Sequence, residues 1–215
     1  MRLFVTDIRS LEDPDLFRRG LARVLPERRT RAVRHLCAQD RCRSLGAGLL
    51  LEYALRAAGI EPATANIQRD SYGKPHCAAH PACHFNLSHA GHFAVCALGA
   101  LPCGVDVERI SELDGVEAAL HPDEVFWLHG FSPRERPFCF ARLWTRKEAF
   151  LKATGRGLSL PPHSISVVPG CSPVWEGRHF SLREHVLPGH VLCLCLPQHA
   201  PFPEPEMRDM RTLCA

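Results

Sequence analysis

Glu148 and Lys152 stand four residues apart in the stretch Trp144-Thr145-Arg146-Lys147-Glu148-Ala149-Phe150-Leu151-Lys152-Ala153-Thr154-Gly155. Read as a helix, Phe140, Leu143, Trp144, Phe150 and Leu151 make one apolar arc. Glu148 and Lys152 then share the edge of that arc, because residues i and i+4 lie one above the other. A carboxylate and an ammonium placed so can hold a cation and a phosphate side by side. Gly155 ends the helix, where a residue free to take positive φ is wanted. A second acidic pair lies in Gly104-Val105-Asp106-Val107-Glu108. In a strand, alternation puts Val105 and Val107 on one face and Asp106 and Glu108 on the other. Two acids facing the same way repel unless something positive sits between them. A hard divalent cation bound through oxygens answers that need, and magnesium keeps waters and substrate phosphates as its further ligands. A strand with a solvated acidic face is the simpler reading of so short a motif taken alone.

A third segment, His84-Phe85-Asn86-Leu87-Ser88-His89-Ala90-Gly91-His92-Phe93-Ala94-Val95-Cys96, reads as two strands around a tight connection. Ser88 and His89 are expected at that turn, able to donate to a phosphate or to satisfy local backbone groups. The cluster His76-Cys77-Ala78-Ala79-His80-Pro81-Ala82-Cys83-His84 offers zinc ligands at irregular spacing and also reads as a surface loop. Lys147 projects near the middle of the apolar arc, where it snorkels, pairs with an acid or approaches a substrate. Glu124 reads as a first-turn helix acid.

The elements that must position these residues fall into two halves, residues 1–103 and 104–215. The first half reads as a strand near 3–8, a basic turn after Pro26, a long helix over 31–58 ended by Gly59, and strands near 65–69, 84–87 and 93–98. The second reads as the Asp106 strand, helices around 116–129 and 133–153, and strands near 164–168, 174–176, 180–183 and 190–196. The tail from Pro197 is expected to be irregular, because Pro201, Pro203 and Pro205 interrupt it. Of 215 residues, 46% are hydrophobic, enough for a core, yet no run is long and apolar enough for a bilayer span. A formal charge of +3 argues weakly for an acidic partner and poorly for nucleic acid. Asp7 and Arg9 interrupt any signal-peptide apolar stretch, so we expect a cytoplasmic chain whose 11 cysteines are reduced. Cys193 and Cys195 read as small residues of a closing strand.

Four segments together carry a resemblance. Tyr72-Gly73-Lys74-Pro75, then Phe85-Asn86-Leu87-Ser88-His89, then Gly104-Val105-Asp106-Val107-Glu108, then Trp144-x-x-Lys147-Glu148-x-x-x-Lys152 with Gly155-x-Gly157-Leu158-Ser159 resemble the ordered signatures of 4′-phosphopantetheinyl transferases. The likeness is to the long, single-chain type and spans residues 26–167. It implies an α+β fold built as a pseudo-twofold arrangement of two similar halves, with the active site at their interface. It implies transfer of phosphopantetheine from coenzyme A to a serine of an apo acyl or peptidyl carrier protein, leaving adenosine 3′,5′-bisphosphate. By the same resemblance Asp106, Glu108 and Glu148 are the Mg2+ ligands, and Glu148, Lys152 and His89 are the catalytic residues. Coenzyme A falls to the N-terminal half and is assigned Arg28, Arg31, Arg43, Ser44, Lys74, Pro75, Ser88, His89 and Lys152. No nucleic acid and no membrane is expected as a partner, and a chain carrying both halves needs no dimer to complete its site.

Two other classes share parts of this pattern. A magnesium-dependent phosphohydrolase or nuclease would use the same three carboxylates but needs a water-activating arrangement that the sequence does not display. A noncatalytic zinc or RNA-binding module would use the residue 76–84 cluster and the arginines, against which stands the scarcity of aromatics in the basic helix.

Overall fold

The computed structural model describes residues 1–111 and 116–215. In chain order these form β1 (Arg2–Asp7), α1 (Pro14–Arg23), α2 (Pro26–Val33), α3 (Ala38–Ala57), β2 (Ile67–Arg69), β3 (Pro75–Cys77), β4 (His84–Ala90) and β5 (Phe93–Gly99). There follow β6 (Gly104–Arg109), α4 (Pro122–His129), α5 (Arg136–Thr154), β7 (Val174–Trp175), β8 (Arg178–Leu187), β9 (His190–Pro197), β10 (Pro205–Arg208) and α6 (Met210–Leu213). The mixture of helix and sheet is the α+β class read from the sequence. The chain divides into two units: Met1–Gln68, Pro75–Ala100 and Pro203–Ala215 make the first, and Arg69–Lys74 with Leu101–Phe202 make the second.

In the first unit the described strands run in the order β10-β1-β5-β4. β1 is antiparallel to β5 and parallel to β10, and β4 is antiparallel to β5. α3 packs on β5, β4 and β1. Its Leu45, Leu49, Leu50, Ala54 and Leu55 join Phe4, Phe85, Ala94 and Cys96 in one buried core. Removing that apolar surface from water is the main force holding the helix to the sheet. The expected helix over 31–58 is two helices, with the chain reversing between Val33 and Ala38. α2 folds back onto α3, so that the stem of Arg28 lies over Gly48. A single straight helix would leave Ala32 in water, whereas the folded-back pair buries it fully.

In the second unit the described strands run in the order β6-β9-β8-β7, each pair antiparallel. β9 lies inside that sheet. Val191 to Leu196 are wholly buried, which explains a continuous apolar run where a half-exposed strand would alternate. α5 packs on β6, β9 and β8. Phe150 meets Phe180 edge to face with ring centroids 5.3 Å apart. α4 covers another side of α5 through Leu128, Cys139 and Leu143.

Three local expectations are corrected. Residues 164–168 form no strand; a 3-10 turn spans Pro162–Ser164, and the carbonyls of Pro162 and Ile165 accept from the buried Lys147 instead. The tail is ordered: β10 pairs with β1 in parallel register from Leu3↔Pro205 to Thr6↔Arg208, and α6 follows. Pro205 is tolerated because it opens an edge strand, where no ladder donor is lost from the middle of the sheet. Ser88 and His89 lie within β4, and the turn falls at Gly91, whose φ is +52.

Candidate active site

Gly104 brings the chemistry of the second unit together. A Cβ built on it would lie 1.9 Å from the carbonyl oxygen of Ala149 and 2.4 Å from the nitrogen of Ala153. Only a residue without a side chain lets the backbone of α5 approach β6 so closely. Ala149 and Ala153 bracket that contact, so Glu148 and Lys152 are carried to the rim of the strand that bears Asp106 and Glu108. Val105 and Val107 are buried on the far face, as the alternation requires. Gly155 closes α5 in the left-handed conformation at φ +77, the terminus expected from its position.

Asp106 is 2% exposed, and Lys152 Nζ donates to its Oδ1 at 2.5 Å and to the carbonyl of Val105 at 3.4 Å. Burial and the negative charge of Asp106 push the Glu108 carboxyl up to about 7, with Lys152 opposing and Glu148 adding to the rise. Burial also raises Glu148, against the pull of Lys152 and with a push from Asp106. The three acids therefore feel one another's charge. Among the described residues, no three His, Cys, Asp or Glu side chains stand close enough to grip a metal ion as arranged here. The donor chemistry suits a hard cation all the same: all three are carboxylates, and their fields overlap at Glu108.

Lys147 takes the second of the three roles open to it. Its ammonium forms a 2.8 Å ion pair with Glu124, and the two side chains are 1% and 0% exposed. Lys147 Nζ also donates to the carbonyls of Pro162 at 2.7 Å and Ile165 at 2.6 Å. Glu124 Oε2 accepts from the backbone of His121, and Oε1 accepts from that of Val167, each at 2.9 Å. The pair ties α4, α5 and residues 162–167 together beside Glu148. Sequence reasoning found the first-turn acid but not its partner; the signal was a lysine in the middle of an apolar arc, which needs an anion when buried. Arg146 was missed too. It is buried, donates to Val167 O at 2.5 Å and pairs with Glu184 at 2.8 Å.

Lys74 belongs to this unit, and its ammonium donates to the carbonyls of Lys152 at 2.6 Å and Cys103 at 3.1 Å. Burial lowers its pKa. It thus sits at the negative C-terminal end of α5.

The remaining expected residues lie in the first unit. Arg43, on α3, donates to Asp40 at 2.5 Å and to Gly91 O at 3.3 Å. Arg43 lowers the pKa of Asp40, and the field of His89 reaches the same carboxylate. Ser44 follows Arg43 half-buried, Ser88 is buried in β4, and His89 is exposed. Arg28 and Arg31 lie on α2, one half-buried and one exposed, and Pro75 opens β3. Cys77, from the proposed zinc cluster, is buried in β3, where burial and the adjacent Cys83 push its thiol up to about 12, disfavouring the thiolate a zinc ion needs.

Comparison with known proteins gives this assembly its class. Residues 102–195 match the 4′-phosphopantetheinyl transferase superfamily, and residues 13–100 match the family described as 4′-phosphopantetheinyl transferase, N-terminal. A 4′-phosphopantetheinyl transferase of Bacillus subtilis is 37% identical over 152 residues, covering 69% of this chain and 68% of its own. The 4′-phosphopantetheinyl transferase Sfp of Bacillus subtilis strain 168 is 29% identical over 196 residues, covering 86% and 87%. HetI of Nostoc, also a 4′-phosphopantetheinyl transferase, is 31% identical over 170 residues, covering 74% and 72%. The chain belongs to the 4′-phosphopantetheinyl transferase superfamily. Neither the hydrolase nor the zinc or RNA-binding reading finds support in these matches.

Proposed function

We propose that this enzyme takes 4′-phosphopantetheine from coenzyme A and joins it to a serine hydroxyl of an apo acyl or peptidyl carrier protein. The serine oxygen forms a bond to the β-phosphorus, the pyrophosphate bond breaks, and adenosine 3′,5′-bisphosphate leaves. The observation that carries this reading is the ammonium of Lys152 standing 2.5 Å from Asp106 among three carboxylates that share one field. Asp106, Glu108 and Glu148 would hold a magnesium ion, whose charge, when bound, offsets that of the phosphates.

Lys152 supplies a fixed positive charge for a phosphate oxygen, in a partly desolvated place where such charge acts more strongly than in water. Glu148 is the candidate to accept the serine proton. His89, Ser88, Arg43, Ser44, Arg28 and Arg31 are assigned to the coenzyme, with Asp40 holding the Arg43 guanidinium in one orientation. Pro75 lends the coenzyme a rigid backbone.

Phe126, 84% exposed on α4, is the candidate contact for the carrier; Trp127 and Phe131 beside it are half-buried and Leu128 is buried. Among the described residues, no helix is long and apolar enough to cross a membrane. Eleven free thiols suit a reducing, cytoplasmic setting. Incubation with coenzyme A, magnesium and a panel of apo carriers tests the whole reading. A carrier heavier by one phosphopantetheine is the expected product, and no modified carrier across the panel contradicts it.

A further inference from the structure

The turn Arg69–Lys74 is built around Asp70, whose Oδ1 accepts from the backbone of Tyr72 and of Lys74, each at 2.9 Å. Asp70 N also donates to Lys74 O at 3.0 Å, and Gly73 takes φ +84. A turn closed this way presents its side chains in fixed directions. Two of them go to the end of α5. Lys74 Nζ donates to Lys152 O and Cys103 O. The Tyr72 ring lies under the Arg156 guanidinium, 4.5 Å from its carbon, and the Tyr72 hydroxyl accepts a hydrogen bond from Arg156. Gly155 sits between those anchors, and a Cβ there would be 3.8 Å from Lys74 Cδ.

Orphan carbonyls at a helix C-terminus need donors, and a cation is favoured there by the helix dipole. The carbonyl that Lys74 caps is that of Lys152 itself, which takes a long 3.3 Å hydrogen bond from Gly155 N besides the 2.6 Å one from Lys74. The backbone of Lys152 is thereby fixed at one end while its ammonium reaches Asp106 Oδ1 at the other. Cys103 lies next to Gly104, so the same ammonium also ties the start of β6 to the end of α5.

We propose that the turn Arg69–Lys74 is a clasp that positions Lys152, with Lys74 acting as a positioning residue and not as the ligand of the coenzyme's 3′-phosphate. This rests on the transferase reading above and assigns the Gly-Lys-Pro lysine a different part in it. Lys74 works through a backbone carbonyl, so its loss should impair the transfer step whichever donor is used. A phosphate ligand would behave otherwise: its loss would raise KM for coenzyme A and would cost nothing with dephospho-coenzyme A, which lacks the 3′-phosphate.

The test measures kcat and KM with both donors at saturating carrier, for the wild type, Lys74→Met, Lys152→Met and the double variant. We expect Lys74→Met to lower kcat about tenfold or more with both donors alike, the cost of a misplaced group. We expect it to add no more than about twofold on the Lys152→Met background, because the two then act as one unit. Arg156→Ala, at a half-buried anchor of the same clasp outside the hydrophobic core, provides a second variant. It should give a smaller, donor-independent fall in kcat. A deficit confined to coenzyme A, a Lys74→Met effect that multiplies fully with Lys152→Met, or wild-type kcat in both clasp variants overturns the inference. Failure of the wild type to modify any carrier would instead overturn the transferase reading, so the two failures are distinguishable.

Discussion

Lys147 and Glu124 are an ion pair removed from water, and such a pair is tolerated only when every remaining donor and acceptor is met. Here the two backbone carbonyls on Lys147 and the two backbone N–H groups on Glu124 meet them. Lys147→Met leaves the carboxylate without its counter-charge and should cost about 3–5 kcal/mol of stability, read as a lower urea midpoint. An unchanged midpoint would mean the pair contributes no net stability. Glu108 gives a prediction of opposite character. Its carboxyl is raised from 4.5 to about 7, so the folded state holds its proton more tightly than the unfolded chain does. Its contribution to stability is therefore present below pH 4.5 and is lost as pH rises through about 7. The Tm of metal-stripped protein should fall across that window, Glu108→Gln should flatten the fall, and magnesium should raise Tm above it. A Tm that falls as steeply in Glu108→Gln assigns the effect to another group.

At the scale of elements, the packing of α5 on β6 depends on one missing side chain. Gly104→Ala drives a methyl group into the backbone of Ala149. It should cost about 3 kcal/mol and separate the Glu148–Lys152 edge from Asp106, abolishing most transfer. Wild-type stability together with wild-type activity would show that the helix shifts freely. Much of this arrangement was legible in the sequence, because it follows local rules. The alternation around Asp106, the four-residue spacing of Glu148 and Lys152, and the stop at Gly155 each need only nearby residues. What was not legible depends on distant partners. Nothing within residues 31–58 says that α2 must fold back to bury Ala32. Nothing within the proline-rich tail says that β1 offers it an edge. The turn at Ser88 and His89 was placed three residues early, because only the register of β4 against β5, His89↔Ala94 and Ala90↔Phe93, fixes where the reversal falls. Lys74 carries a charge suited equally to a phosphate and to a helix end, and only the tertiary contact distinguishes them.

At the scale of the whole molecule, the enzyme must meet a macromolecular partner. Phe126 stands exposed beside the half-buried Trp127 and Phe131, and a contiguous apolar patch is a recognised mark of such a surface. Phe126→Ser should weaken carrier binding several-fold, about 1 kcal/mol or more, while Tm and coenzyme A affinity stay unchanged, because the ring packs against little in the free enzyme. Equal carrier affinity in the variant would place the docking surface elsewhere. We propose that Asp106 and Glu148, brought together by the seating of α5 on β6, carry the transfer. The most direct measurement is the rate at which an apo carrier gains the mass of phosphopantetheine from coenzyme A and magnesium, compared among the wild type, Asp106→Asn and Glu148→Gln at matched Tm. Rapid gain is expected with the wild type, and a loss of about a hundredfold or more in each variant. Transfer at the wild-type rate by either variant, or by the wild type in excess chelator, would contradict it.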